Sequence, residues 1–274
     1  MSAFELAAPS ALVYWPGAKA KYRGTIVGAL TRHPHHRYVE PFCGGAWVFL
    51  AKRPVPNEWL NDQDEELMNF LVQLADPPAA AELERRLGLV GVHSRALVER
   101  LAALPPAWLA AEEPLVRALR FILVNRIGGG RGVWQDRLAD AAPARWDRVL
   151  ADVQLVTRRL RGVHIERGDG VTLVRRLDAP ETTFYLDPPY LDDRPGRPSA
   201  DPVLHGRLAE ALAGLAGRFL LTHPDHDFWR TEARRHGWES AKLGREYQLD
   251  GTWREQWMFA NFALSAGIQG SLFS

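Results

Sequence analysis

The segment Asp187-Pro188-Pro189-Tyr190, directly after the apolar run Thr183-Phe184-Tyr185-Leu186, constrains this chain more than any other. A short β-branched and aromatic run of this kind reads as a buried strand. Proline has no N–H to give to a sheet ladder or a helix interior, so the chain must break at the strand's carboxyl end. In an open α/β sheet that edge is where ligands bind. Asp76-Pro77-Pro78 has the same first three residues, but helical periodicity precedes it and Ala79-Ala80 follow. It reads as a helix stop followed by a linker.

An acid followed by two prolines suits attack by an exocyclic aromatic amine. Such an amine is a poor nucleophile because its lone pair is delocalised into the ring. The Asp187 carboxylate can accept one amine N–H and the Pro188 carbonyl the other. Two such bonds hold the nitrogen near tetrahedral and free the lone pair for in-line attack on a methyl group. Prolines offer acceptors without competing donors, and Tyr190 can stack on the base being modified. The plain alternative is a strand-terminating turn with Tyr190 in the core.

The chain has 274 residues, 46% of them hydrophobic and 24% charged, which suits one α/β domain with an inserted subdomain. A formal net charge of +1 means that any nucleic-acid surface is a local patch. Cys43 is the single cysteine, so neither an internal disulfide nor a Cys-cluster metal site can form. A cytoplasmic setting, with no metal and no membrane span, is expected.

Residues 37–41 read as a strand ending in Glu40, and Phe42-Cys43-Gly44-Gly45-Ala46 as a tight turn into a helix. A second short strand ends at Asn61-Asp62, and Leu67, Phe70, Leu71 and Leu74 mark one face of a helix. Residues 76–160 are rich in Ala, Leu and Arg and read as a run of helices with one irregular loop or hairpin at 127–134. The α/β pattern then resumes, with strands near 162–166, 183–186 and 218–222. Segments 239–247 and 256–262 can pair antiparallel through a turn at Asp250-Gly251. His223 and His226, just past a strand end, read as exposed loop histidines, with a place lining the base pocket as the alternative.

A strand, a glycine turn and a helix N-terminus around Glu40 have the logic of a nucleotide site, although the phosphate fingerprints are absent. Taken in order, Trp15-Pro16-Gly17-Ala18-Lys19, Glu40-Pro41-Phe42-Cys43-Gly44, Asn61-Asp62 and Asp187-Pro188-Pro189-Tyr190 resemble the motifs of Dam-type DNA adenine N6-methyltransferases. The resemblance implies a Rossmann-like α/β methyltransferase with a mixed sheet and helices on both faces. Residues 1–75 and 161–274 would form the catalytic domain and 76–160 a helical target-recognition insertion. It also implies S-adenosylmethionine as cofactor and double-stranded DNA as partner.

Carried over by position, Trp15 and Lys19 flank the cofactor's methionine end, Glu40, Phe42 and Gly44 line its pocket, and Asp62 accepts from the ribose hydroxyls. Asp169 contacts its adenine, Asp187 also borders the cofactor, and Asp187, Pro188, Pro189 and Tyr190 carry the chemistry. Bland readings stand beside these: Asp62 as a helix cap, Asp169 in a Gly-Asp-Gly turn, Lys19 on a solvated face. Asn125 and Arg126, with Arg120, Arg131, Trp134, Arg137 and Arg194, are candidates for DNA contact. The sequence departs from the family at Ala46, where a second glycine is usual; alanine is small enough to be tolerated there if φ is negative, but it weakens the match. It departs again at Ile127-Gly128-Gly129, which leaves the target sequence open. Methylation of cytosine N4 or of RNA adenine, and a non-catalytic nucleic-acid-binding protein, are the rival readings.

Overall fold

The computed structural model describes residues 11–15, 17–89, 95–127, 142–192, 200–247 and 252–264. In chain order the elements are α1 (Arg23–Leu30), β1 (Arg37–Glu40), α2 (Trp47–Ala51), β2 (Asn57–Asp62), α3 (Glu65–Ala75), α4 (Pro77–Gly88), α5 (Arg95–Ala102) and α6 (Pro106–Ala111). There follow α7 (Pro114–Ile127), α8 (Ala142–Leu160), β3 (His164–Arg167), α9 (Gly170–Leu177), β4 (Thr182–Leu186), α10 (Pro202–Ala213), β5 (Arg218–Pro224), α11 (Asp227–His236), β6 (Glu239–Tyr247) and β7 (Trp253–Ala260).

The strands form a mixed seven-stranded sheet in the order β3-β2-β1-β4-β5-β7-β6. β2, β1, β4 and β5 are parallel, while β7 pairs antiparallel with both β5 and β6. This is the doubly wound order of a Rossmann-like α/β fold with an antiparallel strand inserted next to the last. The order reverses between β1 and β4, whose register aligns Val39 with Phe184. The carboxyl ends of these two strands flank the switch point, where ligands bind in open α/β sheets.

By internal contacts the chain divides into two compact units. The first comprises Met1–Ala20, Gly44–Pro54 and Asp62–Arg167. In it α3 buries Leu67, Phe70, Leu71 and Leu74, the face that the spacing predicts, and packs against α4, α7 and α8. Arg117 on α7 pairs with Glu65 and Glu66 on α3, and Arg167 of β3 pairs with the same Glu65. These exposed and half-buried pairs hold geometry more than they add stability.

Asp76 corrects the sequence reading. It ends α3, but its side chain accepts from the Ala79 N–H and caps α4, with prolines in the first turn. A proline there loses only an N–H that has no partner in the helix anyway, and its fixed φ suits the start. The Asp-Pro-Pro that reads as a linker is a helix-to-helix junction.

The second unit comprises Lys21–Cys43, Val55–Asn61 and Gly168–Ser274. All five residues of β4 are buried, as suits a central parallel strand covered on both faces. Phe184 and Leu186 pack in one core with Val39, Phe219, Leu221, Trp229 and Phe259. β6 and β7 pair antiparallel as expected, and the turn assigned to Asp250-Gly251 lies outside the described residues. Among the described residues no helix is long and apolar enough to cross a membrane.

Asp76→Ala should lower stability to urea by about 0.5–2 kcal/mol, the usual cost of a lost N-cap. A linker aspartate would leave the unfolding midpoint unchanged.

Candidate functional site

In the second unit, β1 brings Glu40 to the switch point. The carboxylate is buried, and the Tyr38 hydroxyl donates to it at 2.7 Å from two residues back, on the same face of the strand. Burial, then the charge of Glu40, raises the Tyr38 phenol well above its usual range, so it remains a donor. Asn61, also buried, donates from its side-chain amide to Pro41 O at 2.8 Å and to Gly168 O at 3.1 Å, joining the loops after β1 and β3. A Cβ on Gly170 would lie 2.7 Å from the Phe42 ring and 2.8 Å from Pro41 O. Glycine is therefore required there by close approach. Phe42 is half-buried against the core of this unit.

Asp169 caps α9, accepting from the Thr172 N–H at 2.8 Å and the Thr172 hydroxyl at 2.7 Å. It also pairs with Arg207 at 2.8 Å. Burial pushes its pKa up, but the bonds from Thr172 and Arg207 outweigh this and hold it below the usual carboxylate range. A ligand at this carboxylate must share it with Thr172 and Arg207.

Asp187 follows β4 and is half-buried. Its Oδ1 accepts from the Thr222 hydroxyl of β5 at 3.0 Å, and Tyr185 lies 3.0 Å from the same hydroxyl oxygen. Burial, then the charge of Asp187, keeps the Tyr185 phenol protonated. Tyr185 therefore donates to Thr222, and Thr222 donates to Asp187, a chain that fixes the carboxylate's rotation.

Beyond Pro188 and Pro189 the loop is held by side chains. His205 Nε2 is 2.8 Å from Pro189 O, and its Nδ1 accepts from the Trp229 indole N–H at 3.2 Å. Leu191 N–H donates to His223 Nε2 at 3.0 Å, and His223 Nδ1 lies 2.7 Å from Pro224 O. Tyr190, between these anchors, meets His223 edge-on with ring centroids 5.5 Å apart. His223 thus corrects the sequence reading: it belongs to β5 and is fully buried, because the strand runs on to Pro224. His226 caps α11 rather than lining a free loop.

In the first unit, Ala18 N–H donates to Trp15 O at 3.1 Å, with Gly17 at φ +76° in between. Lys19 is 2% exposed, and its ammonium donates to Gly17 O at 2.8 Å. This is a buried cation, not a solvated face. Gly44 has φ +45°, and a Cβ there would come within 2.6 Å of the Trp15 indole. Asp62 Oδ2 accepts from the Gly44 N–H at 3.0 Å and Oδ1 from the Asp64 N–H at 3.1 Å. Asp62 does not cap α3; Asp64 does, through the Leu67 N–H. Burial raises the Asp62 pKa, and the backbone N–H of Gly44 and Asp64 pull it back. Ala46 sits at φ +54°, so the negative φ under which alanine would be tolerated without strain is not met. The turn into α2 demands a left-handed residue whichever side chain occupies it.

Asn125 is a correction. It is buried, and its amide accepts from Tyr14 N–H at 2.7 Å and donates to Tyr14 O at 3.0 Å. Its hydrogen-bonding edge reads this chain's own backbone, not a base. Arg126 lies over the Tyr14 ring at 4.6 Å. Arg120 donates to Leu101 O at 2.7 Å and is largely structural. Arg131, Trp134, Arg137 and Arg194 lie outside the described residues.

Sequence reasoning missed Asn61 as a loop tie, Thr222 as the partner of Asp187, and His205. One signal for His205 was present: with Leu208, Ala209 and Leu212 it has the spacing of the buried face of α10. A histidine on an apolar face must find polar partners inside the fold.

Residues 15–97 match the family model of D12 class N6 adenine-specific DNA methyltransferases. The match spans Trp15, Lys19, Glu40, Phe42, Gly44 and Asp62, and it bears out the resemblance that the ordered motifs carry. Among solved structures the chain is similar to precorrin 8w decarboxylase from Methanobacterium thermoautotrophicum. The TM-score is 0.39 and the identity 10%, covering 92% of this chain and 94% of that one. No curated protein matches in sequence.

Ala46→Gly should stabilise the protein by about 1 kcal/mol, because a left-handed non-glycine residue costs roughly 1–2 kcal/mol and glycine's extra unfolded-state entropy offsets part of the gain. Chemical denaturation checks it; a loss of stability would mean that the Ala46 methyl packs better than its backbone is strained.

Burial holds His205 down from 6.5 to about 4; His226 acts in the same direction, while the hydrogen bond to Pro189 and the charge of Asp201 oppose it. The unfolded imidazole therefore binds a proton near pH 6.5 that the folded one refuses until about pH 4. Its contribution is fully present above pH 6.5 and is lost as the pH falls through that window, on the order of 2–3 kcal/mol. Unfolding free energies from pH 7 to pH 4 should fall more steeply for the wild type than for His205→Gln. Parallel slopes would contradict it.

Proposed function

We propose that this protein transfers a methyl group from S-adenosylmethionine to the N6 amine of an adenine flipped out of double-stranded DNA. The observation that carries the reading is the Asp187 carboxylate at the switch point, fixed by Thr222 and followed by two prolines and Tyr190. An adenine amine needs two acceptors to lose its planarity. Asp187 supplies one and the Pro188 carbonyl the other, and Tyr190 stacks on the base. Flipping costs about a few kcal/mol, which this stacking and the two hydrogen bonds offset in part.

The chemistry of the donor set suits this cofactor. Lys19 is a buried cation for a carboxylate, Asp62 an acceptor for ribose hydroxyls, and Glu40, Phe42, Gly44 and Trp15 complete the proposed contacts. Asp169 serves the adenine ring through a carboxylate that Arg207 also holds. When bound, S-adenosylmethionine supplies an electrophilic methyl group. Holding the amine in line with it contributes roughly 7–11 kcal/mol through proximity. The sulfonium charge disappears as the methyl moves, so Asp187 need only orient the amine and need not be a strong base.

Residues 76–160 are proposed as the target-recognition insertion within a catalytic domain of residues 1–75 and 161–274. Arg126 is its described candidate for phosphate or guanine, since guanidinium forks onto both. The similarity to D12 class enzymes supports adenine over cytosine N4 or RNA as the substrate.

The test is methylation of unmodified duplex DNA with labelled S-adenosylmethionine, followed by digestion to nucleosides. The wild type should yield N6-methyladenine, and Asp187→Ala should lose roughly 10²-fold or more in rate. Cofactor should raise the melting temperature of both. Label on cytosine or only on RNA would move the substrate. A heat-stabilised wild type that transfers no methyl group to any nucleic acid would leave a binding protein.

A further inference from the structure

The loop after β4 has a structural problem that its sequence creates. Pro188 and Pro189 carry no N–H, so two successive residues cannot be tied down by donors of their own. The loop also belongs to no helix or strand through residue 192. Yet Tyr190 and the carbonyls beside it must be held within a few tenths of an ångström if they are to orient a base.

The fold solves this from outside, with two fully buried histidines. Trp229 can only donate, so His205 Nδ1 must accept; a carbonyl can only accept, so His205 Nε2 carries the proton and donates it to Pro189 O. His223 is the opposite tautomer. Its Nε2 accepts from Leu191 N–H, and its Nδ1–H donates to Pro224 O. On the same stretch of loop, Ala200 N–H donates to Tyr190 O at 2.8 Å. The backbone is thus caught at Pro189, Tyr190 and Leu191 in succession. The two imidazoles meet edge-on, with centroids 5.4 Å apart, and His223 also lies edge-on to the Tyr190 ring.

We propose that His205 and His223 are positioning residues, a two-sided clamp that sets Tyr190 and the Pro188 carbonyl for the base. The inference rests on the methyltransferase reading. Neither histidine transfers a proton to substrate. Each acts through the loop, and each must be neutral to do so, because an imidazolium offers two donors where one donor and one acceptor are needed. The low pKa of His205 agrees with this. An apolar residue of similar size would fill the same space while leaving Pro189 O, Trp229 N–H or Leu191 N–H without its partner. That difference separates positioning from packing.

The test uses the full chain and four variants: His205→Leu, His205→Asn, His205→Gln and His223→Leu. Glutamine at 205 reaches Pro189 O, whereas asparagine reaches Trp229 but falls short of Pro189. Three quantities are read: S-adenosylmethionine affinity, kcat on duplex DNA, and hydrogen exchange of the Leu191 amide against the amides of β4 and β5. The leucine variants and His205→Asn should keep cofactor affinity within about twofold and lose roughly 10- to 100-fold in kcat, the scale of a small misplacement. His205→Gln should recover most of it. In His223→Leu the Leu191 amide should exchange faster while the strands stay protected.

Unchanged kcat in the leucine variants overturns the clamp. So does a loss shared equally by cofactor affinity and strand protection, which would be packing alone. If a leucine variant does not fold, the Asn–Gln contrast at 205 decides, and equal kcat there overturns the proposal. A wild type that methylates nothing sinks the reaction; the exchange measurement still separates a clamped Leu191 from a free one, and an unchanged amide sinks the clamp.

Discussion

The structure around the switch point depends on a shortage of backbone donors. A strand that ends in Asp-Pro-Pro presents acceptors to a ligand because it has no N–H groups to spend at 188 and 189. The same feature leaves the loop unable to fix itself. Side chains from other elements therefore hold it: Thr222 on β5 at Asp187, His205 on α10 at Pro189, and His223 on β5 at Leu191. These anchors stand on elements rooted in one core, with Trp229 behind His205. Buried polar groups are costly unless fully paired, and at these residues the pairing is directed at the loop.

Neighbouring loops of the second unit follow the same rule. Asn61 uses its side-chain amide to join the carbonyls of Pro41 and Gly168, and Gly170 admits the Phe42 ring where any Cβ would collide. In the first unit Gly44 does the equivalent beneath Trp15, and Asp62 receives the Gly44 N–H. Residues that read in sequence as ligand contacts therefore also hold the turns that present them. Asp169 shows this most plainly, as a helix cap, the partner of Arg207 and a candidate ligand contact at once.

Chain-local physics made the strands and the breaks after them legible. Thr183 to Leu186 could only be a buried strand, two prolines could only end it, and the apolar spacing of α3 could only be one helix face. Asp76 went astray because an Asp-Pro-Pro after a helix stops that helix and caps the next equally well. Only the position of Ala79 N–H decides. The sign of φ at Ala46 was left open because residue type does not fix it; the turn into α2 requires the left-handed value. Asn125 looked like a reader of bases because its partner, Tyr14, lies far away in sequence.

The sequence alone determined where backbone donors are missing, which residues are acids at strand ends, and the order of the motifs, because these depend on residue type and near neighbours. Tertiary structure decided which side chains repair those shortages. Thr222, His205 and His223 are ordinary residues of a strand or helix until the parallel sheet sets β5 beside β4 and α10 over the loop. Hydrogen bonds between residues 16 to 35 positions apart come from the packing of whole elements, which no local pattern encodes.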